Sequence, residues 1–339
     1  MKKSAIARII IFSLLIVILS GVLIAGISEK DFFWSNNIFN FSIGGVGSSV
    51  SGLLSNGTEA AAHSFHAADI DEIVILWVSG DVNVSGADTD TISYETSNNN
   101  TDFETVYKLE NGRLSVGFNG KKWNTGKVKS KDLSLSLPQN WDGKLLKVEA
   151  VSADVTIEKL SNLQELKTEN VSGKINIQSV ISDKLDVETV SGDMNFHGRF
   201  EKIDIEGVSA RCTIDASAGC PNSIDLNTVS GDFTLYLPED YGFDLKLDGV
   251  SKTLNTSLPY EKDGNRYQYS GKLGKCPIDM ESVSGSISIS AQKIDQASCP
   301  HLWSEGTTMI TPGSNDEEMV YTCLLCDKTR SEMIAPGKH

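Results

Sequence analysis

One short phrase, Val-Ser followed in most copies by Gly or Ala, returns eight times along this chain, at Val78, Val151, Val171, Val190, Val208, Val229, Val250 and Val283. From Val151 onward the steps are 20, 19, 18, 21, 21 and 33 residues, so every step but the last lies near twenty. That period suits one coil of a solenoid, in which no coil can bury its own apolar face and stacked neighbours build a shared core.

Aligning the copies on their valines shows which residues such a core would take. Five positions before Val stand Leu146, Leu166, Leu185, Ile203, Ile224, Leu245 and Ile278, and three before it Val148, Thr168, Val187, Ile205, Leu226, Leu247 and Met280. Four after it come Val155, Ile175, Met194, Cys212, Phe233, Leu254 and Ile287, and six after it Ile157, Ile177, Phe196, Ile214, Leu235, Thr256 and Ile289. Apolar residues spaced by two on both sides of a small-residue corner predict two short strands per coil. The fold class is therefore all-β, a single-stack, β-helix-like solenoid of roughly twenty-residue coils over 65–292. Small residues at the corner permit a sharp turn, and the serine hydroxyls are free to bond local backbone. Between the first copy and Leu145, Asn111-Gly112 marks a hairpin, and the alternating "DLSLSLP" ends a strand at Pro138, so this region is expected to cap the first end of the stack.

The stretches "IDEIVILWVSGDVNV", "VYKLENGRLSVGF", "LSLSLPQNW" and "LYLPEDYGFDLKLDGVS", together with the coils, resemble the family known as the putative adhesin domain of bacterial surface proteins. The resemblance implies a toast-rack-like β-solenoid and an envelope role, either adhesion or sensing of envelope stress. It brings no catalytic residues. The chain departs from the pattern at Ala153, Ala210 and Lys252, which stand at the corner position, and in the insertion "PYEKDGNRYQYSGKLGKCP" before the Val283 copy.

Ahead of the repeats, Lys2, Lys3 and Arg8 precede an apolar run from Ile9 to Ile27, close to the ~20 residues that cross a bilayer. It reads as residues 1–6 inside, a single-pass transmembrane helix over 7–27 and the bulk of the chain outside the cell membrane. A signal peptide cleaved near Ala25 is the alternative. Residues 28–64, rich in Ser, Gly and Asn, read as a flexible stalk. The net charge of −15 argues against nucleic acid, which demands a basic footprint.

Three features could carry function. Acidic columns pass through the middle coils, where Asp186, Glu188, Asp204, Glu206 and Asp225 form a candidate calcium-binding face or a solvated one. A column of Thr and Asn, including Thr213 and Thr234, could dock a glycan or a partner strand of another surface protein, or simply face solvent. The tail, 298–339, lacks the corner phrase and carries Cys323-x-x-Cys326 with Cys299 and His301 upstream, the spacing of a zinc knuckle. Its wording resembles Cys/His modules at the ends of Gram-positive surface proteins. His301, Cys323 and Cys326 are the expected zinc ligands, the fourth being Cys299 or His339, with Trp303, Tyr321 and Ile334 as a small core. A Cys323–Cys326 disulfide is the competing reading, and any pairing among Cys212, Cys220 and Cys276 stays open.

A serine nucleophile needs a base beside it, and the chain's five histidines do not recur with the repeated serines. A non-enzymatic surface module is therefore the first functional class. A β-helical enzyme acting on polysaccharide is the second.

Overall fold

The computed structural model describes residues 57–97, 104–118, 130–293, 296, 299, 301–310 and 317–333. The expected inner terminus, the 7–27 anchor and all but the end of the 28–64 stalk lie outside the described residues, as do Ile334 and His339. Among the described residues no helix is long and apolar enough to cross a membrane.

The repeats form coils that stack residue for residue. Along one 14-stranded sheet, Glu72–Ala87 pairs in parallel with Leu145–Ser172, placing Ser79 opposite Ser152. Leu145–Ser172 pairs with Ile175–Asp215, Leu166 opposite Leu185, and Ile175–Asp215 pairs with Ser223–Pro238, Ser209 opposite Ser230. The apolar columns face inward: Leu166, Ile175, Leu185, Ile205, Cys212 and Leu226 all have no solvent exposure.

Corner chemistry accounts for the repeated phrase. The ladders skip the valine, pairing Thr228 with Gly207 and then Ser230 with Ser209. At two corners the valine carbonyl is taken instead by the serine of the next coil: Ser172 Oγ donates to Val151 O at 3.3 Å and Ser191 Oγ to Val171 O at 3.4 Å. Gly173 turns at φ 118°, and a Cβ on Gly192 would stand 2.1 Å from Gly173 O. Tight stacking of backbone on backbone thus demands a glycine there.

The first end of the stack is closed along both halves of its outer strand. Arg113–Phe118 covers one half, with Ile73 opposite Leu114, and Leu133–Pro138 covers the other, with Val82 opposite Leu133. The Asn111-Gly112 turn has both residues at positive φ, as a tight hairpin requires. Buried Trp77 ties the cap down through Nε1 to Lys131 O at 2.7 Å.

At the far end the spatial order departs from the chain order. The Val283 copy, in Gly274–Gln292, lies between the Val229 and Val250 copies, with Ser284 opposite both Ser230 and Ser251. Composition explains the exchange. Ile278, Met280, Ile287 and Ile289 are nearly fully buried, whereas the Val250 copy offers Thr256 in the same column and leaves Val250 itself 83% exposed. The more apolar coil takes the interior and the more polar one the end. The insertion then doubles back as a hairpin, Glu261–Asp263 with Arg266–Tyr269, whose second strand pairs antiparallel on Tyr241–Thr256. Arg266 clamps Asp244 through Nε at 2.7 Å and Nη2 at 2.5 Å. Lys252, in the corner position, bonds Leu247 O with its ammonium group.

A Cys220–Cys276 disulfide, with Cα atoms 5.6 Å apart and a sequence separation of 56, fastens the inserted coil, while Cys212 is a free thiol in the core. Closing a loop of that size constrains the unfolded chain by about 4 kcal/mol in the chain-entropy model. A reductant should therefore lower the melting temperature of the wild-type chain, and a Cys220→Ser, Cys276→Ser double variant should start low and show no further drop. Equal melting of wild type and variant without reductant would overturn this pairing.

The acidic columns are not an open cation site where they are densest. Lys147 Nζ lies 2.7 Å from Glu149 and 2.9 Å from Glu169, and Lys167 Nζ lies 2.6 Å from Glu188 and 3.1 Å from Asp186. Lys184 bridges Glu165 and Asp186. The chain's own ammonium groups thus neutralise Asp186 and Glu188. Asp204, Glu206 and Asp225 follow on the next coils, and no three carboxylates among the described residues converge tightly enough to share one ion. Burial first, and then the charges of Asp186 and Asp225, hold the Asp204 carboxyl above its usual range.

Glu188 gives this region a pH dependence. Its side chain is 10% exposed and its Oε2 is buried without a hydrogen-bond partner among the described residues, and burial pushes the carboxyl from 4.5 to about 7 despite the Lys167 contact. A folded value above the unfolded one means that Glu188 holds its proton longer in the fold. Its contribution is complete below pH 4.5 and declines as pH rises towards about 7. Glu188→Gln should flatten the loss of melting temperature between pH 5 and 7, and an unchanged slope would show that the carboxyl ionises freely in the fold.

Candidate metal centre

The tail folds as its own three-stranded sheet, Thr307–Ile310, Glu317–Thr322 and Thr329–Met333, separate from the coil ladder. Two loops meet at its base. Ser304 N donates to Thr322 O at 2.9 Å and Leu324 N to Leu302 O at 2.7 Å, and Trp303 forms an antiparallel bridge with Cys323. This pairing carries the 299–301 segment to the 323–326 turn. The turn is closed by Asp327 N to Cys323 O at 3.0 Å and Cys323 N to Lys328 O at 2.7 Å, with Asp327 at φ 59°.

The result brings one donor atom each from Cys299, His301, Cys323 and Cys326 within 4.8 Å of one another. Cys299 Sγ and Cys323 Sγ are 3.9 Å apart, and Cys326 Sγ and His301 Nδ1 are 3.5 Å apart. A tetrahedral zinc with Zn–S bonds of ~2.3 Å has S···S edges of about 3.8 Å, so this spacing fits a metal between the sulfurs. Bonded sulfurs would be only ~2.05 Å apart, and Cys323 and Cys326 are both free thiols here. Cys299 supplies the fourth donor of this cluster, while His339, the alternative that the sequence leaves open, lies outside the described residues.

Electrostatics of the four groups differ. Burial opposes ionisation of Cys323, yet the amides of Leu325 and Cys326 outweigh it and hold the thiol below its ordinary value, with Leu325 N donating to the sulfur at 3.5 Å. Burial and the neighbouring thiols of Cys326 and Cys323 push Cys299 up to about 12. Burial and the Lys328 charge keep His301 below its usual value, which favours the neutral imidazole that a metal requires. Four protein donors leave no open coordination position, so a zinc held here would serve structure and not catalysis.

Around the cluster the packing differs from expectation. Leu302 and Leu325, at 0% and 5% exposure, form the small core together with the cysteines. Trp303 packs at its margin, and with Tyr321 it holds the Arg330 guanidinium, which lies 4.7 Å from each ring centre. Ile181 and Ala218 of the coils pack against the same cluster, while Gln139 Nε2 donates to Trp303 O at 2.8 Å and Asn140 Nδ2 to Glu305 Oε1 at 2.6 Å. The module therefore docks on the coils. The Leu-Leu between the two knuckle cysteines and the Leu between His301 and Trp303 were the available sequence signals for this core.

Among the described residues, one His–carboxylate contact occurs in the coils. His197 Nε2 lies 3.9 Å from Asp215 Oδ2, but Ser217 Oγ bonds Asp215 and not the imidazole. The order of contacts that would let a histidine take a proton from serine is missing there.

Residues 70–219 match the family model described as Toastrack DUF4097, a span that holds the copies from Val78 to Val208. Among solved structures, the chain is similar to a "putative adhesin" of Bacteroides fragilis at 16% identity, covering 68% of this chain and 96% of that one with a TM-score of 0.43. It is also similar to a "putative lipid binding protein" of Parabacteroides distasonis at 15% identity, covering 70% and 98% with a TM-score of 0.39. A "putative cell adhesion protein" of Clostridium sporogenes matches at 16% identity, covering 70% and 100% with a TM-score of 0.30. No curated protein matches the chain.

Proposed function

We propose that this chain is a non-catalytic binding module of a bacterial envelope, anchored through residues 7–27 with its coils and tail outside the cell membrane. The observation that carries the reading is the use the fold makes of its repeated polar groups. Two of the corner serine hydroxyls, Ser172 and Ser191, bond the valine carbonyl of the neighbouring coil, and no histidine stands with the repeated serines in sequence to make any of them a nucleophile. Lysines that could have bound anions lie against carboxylates of adjacent columns. The outer column of Thr156, Asn176, Asn195, Thr213 and Thr234 presents short, half-exposed or exposed polar side chains, which suit recognition more than chemistry. The apolar run from Ile9 to Ile27 behind Lys2, Lys3 and Arg8 supports the anchor, and the Cys220–Cys276 disulfide accords with an oxidising exterior.

Intact cells carrying a C-terminal epitope test this directly. The expected result is that added protease removes the epitope without lysis, and that the untreated chain stays in the membrane pellet after alkaline carbonate extraction. An epitope protected until the cells are opened would reverse the proposed orientation, and a chain released by carbonate would remove the anchor.

A further inference from the structure

The stacked corners enclose a groove of about 680 Å³ that runs along the stack from the Asp154 coil to the Ser284 coil. Its floor is bare backbone, with Gly173, Gly192, Ala210, Gly231 and Gly285 contributing at most a methyl group. Six coils at a strand spacing of ~4.8 Å give it a length of about 24 Å. One wall is the column three residues after each valine, where Asp154, Lys174, Asp193, Arg211 and Asp232 alternate in sign from coil to coil. Groups of like charge therefore recur at every second coil, about 9.6 Å apart.

These charges are only partly used by the fold. Asp154 accepts the backbone N–H of Lys174 at 2.7 Å through one oxygen, and Asp232 is bonded by Ser286 Oγ through one oxygen. Arg211 reaches Asp193 at 3.4 Å, with the two side chains 73% and 53% exposed. Lys174 is exposed and makes no ion pair with the described residues. Beneath the floor, the hydroxyls of Thr228 and Ser282 are buried without a partner among the described residues. Each packs beside a floor glycine, 3.2 Å and 2.9 Å from where a Cβ on Gly231 or Gly285 would stand.

We propose that this groove binds a linear polysaccharide in which an acidic sugar recurs at every second residue. Lys174 and Arg211 would take successive acidic groups, and Asp154, Asp193 and Asp232 would accept hydrogen bonds from hydroxyl or N-acyl N–H groups of the intervening sugars. The pitch favours a glycan over a peptide. An extended pyranose chain advances by nearly one coil spacing per residue, whereas an extended peptide rises ~3.4 Å per residue and drifts out of step with a 4.8 Å repeat. The lining favours a charged glycan over a neutral one, because no aromatic ring is present for sugar stacking and recognition must come from charge-assisted hydrogen bonds.

This inference rests on the binding-module reading and names its ligand class. The test is calorimetry of the full-length chain, purified in detergent, against a hyaluronan octasaccharide, whose uronate alternates with an N-acetylated sugar, and against cellohexaose. The expected result is measurable binding of the acidic oligosaccharide alone, weakened about tenfold or more by each of Lys174→Glu and Arg211→Glu at unchanged melting temperature. Failure to bind the acidic oligosaccharide, equal binding of cellohexaose, or full binding by the charge-reversed double variant would each overturn the proposal. Orientation on intact cells is scored separately by protease, so those results leave the location reading untouched.

Discussion

Purified without chelator, the full chain is expected to carry about one zinc ion per molecule, and removing that ion should unfold the tail while the coils stay folded. Forty residues rarely bury enough apolar surface to fold unaided, and the core here amounts to Leu302, Leu325 and the cysteines themselves. Apparent zinc affinities in small modules of this kind reach about 10–16 kcal/mol near neutral pH, which exceeds anything those few side chains supply. Cys323→Ser should have the largest effect among the ligands, because its sulfur also accepts the Leu325 amide and its backbone is bridged to Trp303. Loss of the bound metal should be accompanied by loss of near-ultraviolet signal from Trp303 and by proteolytic nicking within 299–333. Elemental analysis showing no metal, together with a Cys323–Cys326 disulfide in protein prepared without reductant, would sink the centre.

That module was half legible from the sequence. The Cys-x-x-Cys spacing and the two donors upstream announce ligands, because thiolates and imidazole at such intervals have few other uses together. Nothing local reveals that Ile181 and Ala218 will meet it, since both are ordinary positions of the coils whose neighbours are set by the path of a distant tail. The place of Cys299 in the cluster was likewise undetermined, because a one-residue separation from His301 says that Cys299 is near but not which way it faces.

The coils show the opposite balance. Period-two columns on either side of a fixed corner specify inward and outward faces and register at once, and Ser209 opposite Ser230 is the alignment of the copies made physical. Stack order was not specified in the same way. Every copy presents the same columns, so the Val229 coil can accept either the Val250 or the Val283 copy with identical ladders. Only the side chains that break the pattern distinguish them, chiefly Thr256 in a core column and Lys252 at the corner, with the 33-residue last step supplying enough chain to reverse the order. The acidic columns were open between two readings for a related reason. Read along the chain, Glu188 and Asp186 are a cluster of acids; read across the coils, they are the far side of Lys167 and Lys184.

The largest effect expected of a single substitution lies in those columns. Ile205 and Leu226 are directly opposed in adjacent coils and neither is exposed to any degree. An aspartate at either place would sit among Ile203, Ile224 and Met280, with no cation among the inward columns and no water to solvate it. Burying an unpaired charge costs several kcal/mol even after the group shifts its titration, and a domain's whole stability is about 5–15 kcal/mol, so Ile205→Asp or Leu226→Asp should leave little or no folded protein. In a stack the damage spreads, because each coil's backbone groups are satisfied by the two beside it. Thr213 and Thr234 give the control. They are opposed in the same two coils, one position from Cys212 and Phe233, but on the half-exposed outer face, and replacing either with Lys should change the urea midpoint by little, within about 0.5 kcal/mol. Urea unfolding of the four variants decides the matter. Should the lysine variants unfold the chain while the aspartate variants melt like the parent, the inner and outer faces of the solenoid would have to be exchanged, and with them the surface that carries the proposed groove.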